Sequence, residues 1–325
     1  MNVYKERSYT FDNLKFLLIL LVIFGHIIEY YIFFNHNYKS IYLFIYSFHM
    51  PLFIFISGYF SKNICLDKLK HTSKKLIYIY IIFQIIYTII DYIIFNKFSG
   101  LNLLFVPNFS LWYLISLICW RYTFIFLKKK FSLKFVFILS IISSIVISYS
   151  DFHQFYLAVG RTLYFFPFFI LGILCNYKTL KYIKSIPKYI TLIIFITCFS
   201  IYFLNDIYSF KNVQFILYEM SSLIDMQPFV FKATFFRFLF IIVGVFICVS
   251  IINLVPNKKK YFISEEGKNT LVYYVFHGIL VKVIFFYVFL YNIKYSFTFI
   301  ILIFISIVWI CYLLTKNKLV KKLIL

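Results

Sequence analysis

Long apolar runs separated by short lysine-bearing loops set the pattern of this chain. A run of about 20 apolar residues crosses a bilayer as a helix. The runs predict ten spans, over residues 13–34, 41–60, 77–95, 110–127, 133–150, 162–177, 189–204, 234–252, 270–290 and 296–315. Several are short for a helix normal to the bilayer, so their ends are expected to extend into the loops. The fold class this predicts is all-α, a polytopic integral membrane protein with one domain over residues 1–325.

The loops alternate in charge. Lys5 and Arg7 precede the first span. Lys62, Lys68, Lys70, Lys74 and Lys75 follow the second, Lys128, Lys129, Lys130 and Lys134 the fourth, and Lys178, Lys181, Lys184 and Lys188 the sixth. Lys258, Lys259, Lys260 and Lys268 follow the eighth, and Lys316, Lys318, Lys321 and Lys322 close the chain. By the positive-inside rule both termini are cytoplasmic and the protein belongs in the cell membrane. The longest outer loop, from Asp206 to Phe231 with Glu219 and Asp225, is either a cap over a substrate groove or an ordinary surface loop.

Composition narrows the class. With 63% hydrophobic residues and a mean hydropathy of +0.90, a soluble protein is excluded. The formal net charge of +22 invites a nucleic-acid partner. Its distribution in short clusters between apolar runs argues instead for topology and contact with anionic membrane lipid. None of the six cysteines forms a CxxC pair, so neither a disulfide framework nor a metal site is expected. The first run is too long, and lacks the small-residue site, for a cleavable signal. Eight glycines and six prolines leave few broken helices, which speaks against a secondary transporter.

The polar residues inside the runs carry the candidate chemistry, because a charge at a helix centre costs about 2.5–3.5 kcal/mol in lipid. In the first span these are Asp12, Lys15, His26 and Glu29. Lys15 and His26 fall on one helix face about 16 Å apart, and Glu29 lies near that face. The structural alternative is a lysine reaching for headgroups and a packed interior histidine. His49 in the second span has a similar expected depth, and Pro51 two residues later removes a backbone donor beside it. Two histidines at matched depth on adjacent helices could line one cavity; the alternative is a chance placement of His49. His277 in the ninth span is expected nearer the cytoplasmic side. Arg121, Asp91 and Arg237 are weaker candidates, and His36, His71 and His153 read as loop residues.

The stretches DNLKFLLILLVIFGH (residues 12–26) and FHMPLFIFISGYFSK (residues 48–62) resemble the opening signature of the membrane acyltransferase-3 family. That signature is an aspartate, a basic residue, ten residues and a histidine, matched by Asp12, Lys15 and His26. Lysine stands where many members have arginine, as in the branch resembling fucose 4-O-acetylases. Lys74 and Lys75 resemble the basic pair opening the third helix, without the proline that often follows. Arg161 with FFPFFILG, and GKNT followed by YYVFHG with His277, resemble the sixth and ninth helices.

The resemblance implies an O-acyltransferase of bacterial envelope sugars. It would take an acyl group, most simply acetyl, from acetyl-CoA as co-substrate, with no bound cofactor. The acceptor would be a hydroxyl of an envelope or capsular polysaccharide or its lipid-linked precursor. On this reading His26, Glu29 and His49 are catalytic. Lys15, Lys74, Lys75 and His277 hold the acyl-CoA, and Arg161 and Asp12 serve the substrate. No metal is implied. An exporter or flippase for a polysaccharide intermediate needs the same polar cavity and stays open at this point.

Overall fold

The computed structural model describes residues 9–96, 104–150, 156–204, 230–291 and 296–324. Every predicted span meets a helix. They are α1 (Tyr9–Ile28), α2 (His36–Ser61), α3 (Leu66–Phe95), α4 (Trp112–Lys130), α5 (Leu133–Ile147) and α6 (Val159–Leu174). A short α7 (Tyr177–Ser185) precedes α8 (Lys188–Leu204), and α9 (Val230–Leu254) is followed by the short α10 (Tyr261–Glu266). The chain continues through α11 (Thr270–Leu290) and α12 (Phe297–Lys316) to a short α13 (Lys318–Ile324). Among the described residues there is no strand.

Seven of these helices are long and apolar enough to cross a membrane, or up to eight if α7 and α8, bent by 86°, form one broken span. The shortfall from ten has a local cause in two helices. α5 has only 15 residues, and α4 carries Arg121 and ends in three lysines. Apolar side chains stand exposed along α3, α5, α8 and α12, among them Ile93, Ile138, Ile193 and Leu302. These faces match a lipid solvent rather than water.

α1 is the central helix. It packs on α2, α11, α12 and the short α10, and most of its residues are buried. α2 packs most closely on α6. There the backbones touch: a Cβ on Gly58 would strike the Phe169 carbonyl, and one on Gly172 the Phe55 carbonyl. This small-residue approach is how helices gain contact in lipid, where apolar side chains have no reason to leave their surroundings.

Polar residues at the start of α1 fix the segment between α9 and α11 over it. Asn13 Nδ2 donates to the carbonyls of Pro256 and Lys258 at 3.0 and 3.1 Å. The Ser264 hydroxyl donates to Asn13 Oδ1 at 2.7 Å. Thr10 donates to Asn257 Oδ1 through its hydroxyl and its backbone N–H. Glu266, buried at the end of α10, accepts from Lys316 at 2.8 Å and from the Tyr273 hydroxyl at 3.2 Å. These bonds bring Lys268 and the start of α11 beside Lys15.

Candidate active site

The imidazole of His26 is the centre of the site. Glu29 follows in the single 3-10 turn Glu29–Tyr31 that ends α1, and its Oε2 lies 3.0 Å from His26 Nδ1. The Tyr46 hydroxyl, from α2, lies 3.0 Å from the same Nδ1 and donates to Glu29 Oε2 at 3.4 Å. Gly25 makes room for this: a Cβ there would stand 2.8 Å from the Tyr46 ring. A carboxylate oxygen accepts, so Nδ1 carries a hydrogen, and in the neutral imidazole Nε2 then keeps its lone pair. This is the tautomer a general base needs.

Two more histidines gather around this group. His277 stacks on His26 with ring centroids 5.4 Å apart and planes 30° apart. Its Nδ1 sits 3.0 Å from the Tyr273 carbonyl, which fixes its hydrogen there. Its Nε2 is buried with no hydrogen-bond partner among the described residues. His277 therefore lies at the depth of His26, not nearer the cytoplasmic side as its position in the span suggests. His49 packs edge-on against Tyr46 at 4.4 Å and donates from Nδ1 to the Ile45 carbonyl at 2.8 Å. It reaches His26 through Tyr46.

A cavity of about 390 Å³ opens at the lysine-rich end of the bundle. Lys15, Lys75, Arg121 and Lys268 line it, and its inner end is walled by Val22, Met50, Tyr113 and Tyr274. The rest of its lining is mainly apolar. Neither His26 nor His49 borders this cavity. Val22 is one helical turn, about 6 Å, short of His26. Met50 and Tyr274 likewise stop just before the imidazoles of His49 and His277.

The remaining predicted residues divide. Lys15 lines the cavity and is ion-paired to Asp12 at 3.0 Å. Asp12 is buried at the start of α1 and is not among the residues that line the cavity. Lys75 lines the cavity, whereas Lys74 is exposed on the neighbouring face of α3. The Arg161 guanidinium lies over the Trp112 ring at 5.3 Å, away from the cavity. Asp206, Glu219, Asp225 and His153 lie outside the described residues. Among the described residues no cluster of His, Cys, Asp and Glu is arranged to hold a metal.

Some contributors are not evident from the sequence pattern. Tyr46 and Phe109 resemble any other aromatic in a chain with 46 Phe and 30 Tyr. Lys282, buried in α11, is paired to Asp91 of α3 at 2.7 Å. A charge in mid-span is its one sequence signal. Arg121, weak as a candidate by sequence, carries the same signal and does border the cavity.

The profile of an acyltransferase domain, Acyl_transf_3, matches residues 8–316. The nodulation protein NolL of Mesorhizobium japonicum is 43% identical over 70 residues, which span 19% of this chain and 18% of NolL. No solved structure matches the chain. With the family profile covering nearly the whole chain and a bundle of apolar, membrane-length helices around a histidine–carboxylate pair, this multi-pass membrane protein belongs to the acyltransferase-3 family.

Proposed function

We propose that this acyltransferase moves an acyl group, most simply acetyl, from acyl-CoA to a hydroxyl of an envelope or capsular polysaccharide or its lipid-linked precursor. The observation that carries the reading is the pairing of a cation-bordered cavity with a Glu29–His26 pair one helical turn beyond its inner end.

The cavity suits the donor. Its volume of about 390 Å³ and mainly apolar inner lining have room for a pantetheine arm with a short acyl group. The nucleotide then stays at the mouth, where Lys15, Lys75 and Lys268 meet its phosphates. Lys15 and Lys268 are already matched by Asp12 and Glu265. Arg121 has a hydroxyl partner, Ser61 Oγ at 3.1 Å, and among the described residues no carboxylate within ion-pair distance. It is the cation inside the cavity best placed for the phosphate that joins pantetheine to the nucleotide.

The chemistry needs one base. His26 Nε2 takes the proton of the acceptor hydroxyl while that oxygen bonds to the thioester carbonyl carbon. Collapse of the tetrahedral intermediate breaks the carbon–sulfur bond, and the proton passes from His26 to the departing CoA thiolate. Glu29 holds the imidazole in the required tautomer and stabilises its transient charge. In this reading the termini and the cavity mouth are cytoplasmic, where acyl-CoA is made, and Glu29, 42% exposed, lies toward the acceptor side.

The test is deletion of the protein and re-supply as wild type or His26→Ala at equal membrane abundance, with base-labile esters counted on the isolated surface glycan. Esters that vanish on deletion, return with wild type and stay absent with His26→Ala are expected. Loss of the glycan itself with unchanged esters per sugar would replace this reading by an exporter.

A further inference from the structure

Residues 104–111, ahead of α4, run into the bundle along α3. The Tyr80 hydroxyl donates to the Leu104 carbonyl at 2.8 Å. Gln84 clamps the chain from both sides, donating to the Val106 carbonyl and accepting from the Asn108 backbone N–H, each at 2.8 Å. Asn108 then completes a part-buried polar triad. Its Nδ2 donates to Asp91 Oδ2 at 2.8 Å, and Lys282 Nζ donates to Asn108 Oδ1 at 3.0 Å and to both Asp91 oxygens.

These bonds deliver Phe109 and Ser110 to one place. The Phe109 ring lies 4.4 Å from the His26 ring and 6.0 Å from that of His277. The next residue, Ser110, accepts through its carbonyl from the Tyr274 hydroxyl, and Tyr274 is part of the inner cavity wall. Phe109 holds φ = 48°, a left-handed backbone that a bulky residue adopts only when its surroundings impose it. Gly278 leaves the ring its space, since a Cβ there would strike Phe109 and the Tyr87 hydroxyl.

We propose that Phe109–Ser110 is the partition between the cavity and the imidazole pair, and that Phe109 is a positioning residue that must give way before an acyl group reaches His26. The inference rests on the reading of the cavity as the donor site. A thioester in the cavity ends at Tyr274 and Val22 and is kept from both acceptor and water. The strained backbone at Phe109 lowers the cost of leaving the seated position. The Asp91–Asn108–Lys282 triad returns the segment to it.

Without the partition, water competes with the acceptor. A water molecule attacks the thioester carbonyl, its proton passes through His26 to the CoA sulfur, and the carbon–sulfur bond breaks to give free carboxylic acid and CoA. A leaky partition therefore shows as hydrolysis without acceptor.

The test places a cysteine at Val22, inside the cavity, with and without Phe109→Ala. A membrane-impermeant maleimide is added to intact cells, and modification of residue 22 is read by mass spectrometry. Residue 22 is expected to be protected with Phe109 in place and to react about tenfold faster or more with Phe109→Ala, as for any locally opened segment. In inverted vesicles it should react in both forms. Phe109→Leu and Asn108→Ala, at matched membrane abundance, provide milder variants should Phe109→Ala not accumulate. Equal protection in all of them overturns the partition. Acetyl-CoA hydrolysis without acceptor is followed in parallel and should rise relative to transfer. If labelling changes while no variant turns over acetyl-CoA, the partition stands and the donor reading falls.

Discussion

His26 Nδ1 lies 3.0 Å from Glu29 Oε2, and the two residues belong to different kinds of helix. His26 closes the last turn of α1, and Glu29 opens the 3-10 turn that follows. Three positions apart on a continuous helical path, the two side chains are neighbours on one face. A base and its orienting group are thus built from four consecutive positions of one chain segment, with Tyr46 as the sole contribution of α2 to their hydrogen bonds.

Removing the base and removing its orienting charge are expected to differ in size. His26→Gln should lower acyl transfer by about 10²–10⁴-fold, the usual worth of a general base. Glu29→Gln keeps an acceptor for Nδ1 but not the charge, and should cost less, on the order of tenfold to a hundredfold. Both should leave KM for acyl-CoA near the wild-type value. Steady-state kinetics on reconstituted membranes decides, and a Glu29→Gln enzyme with full kcat would remove Glu29 from the site.

Arg121→Gln should act on binding instead. Loss of a charge-assisted hydrogen bond of about 1.5–3 kcal/mol raises KM for acyl-CoA roughly ten- to hundredfold. Acyl-pantetheine, which has no phosphate, should be used equally by both forms. An equal loss with both donors would mean that Arg121 supports the fold rather than the phosphate.

Lys282→Met leaves the half-buried Asp91 carboxylate, 17% exposed, without its cation. Breaking a fully buried pair costs about 3–5 kcal/mol, and this half-buried one costs less, whereas replacing both members by apolar residues is often neutral. The single variant should therefore unfold at lower temperature in detergent, and Lys282→Met with Asp91→Leu should recover much of the loss. Equal melting of the single variant and wild type would show that the pair carries no stability.

Gly58→Ala tests the contact of α2 with α6. Its Cβ would meet the Phe169 carbonyl, and backbone atoms cannot rotate away as a side chain can. A loss of about 1–3 kcal/mol is expected from overpacking, together with weaker activity because α2 also carries Tyr46 and His49. Unchanged thermal stability would show that the two helices separate freely.

The sequence by itself determined the helical membrane bundle, the approximate limits of its long helices and the family. Those features depend on local quantities: the length of an apolar run, the cost of a charge within it, and a motif contained in one segment. The same locality made His26, Glu29 and Lys15 legible, since three- and eleven-residue spacings on one helix are geometry that a chain carries with it.

Only the tertiary structure decided which distant residues meet. It stacked His277 on His26, turned Lys75 to the cavity and Lys74 away, and joined Lys282 to Asp91 across 191 positions. It also folded the segment before α4 into the bundle, where Phe109 covers His26. The physical reason is that apolar side chains have little preference for one neighbouring helix over another in lipid. Register and rotation are set instead by small-residue contacts such as Gly58 with Phe169, and by buried polar bonds that must find partners. Those pairings exist only once the helices are together.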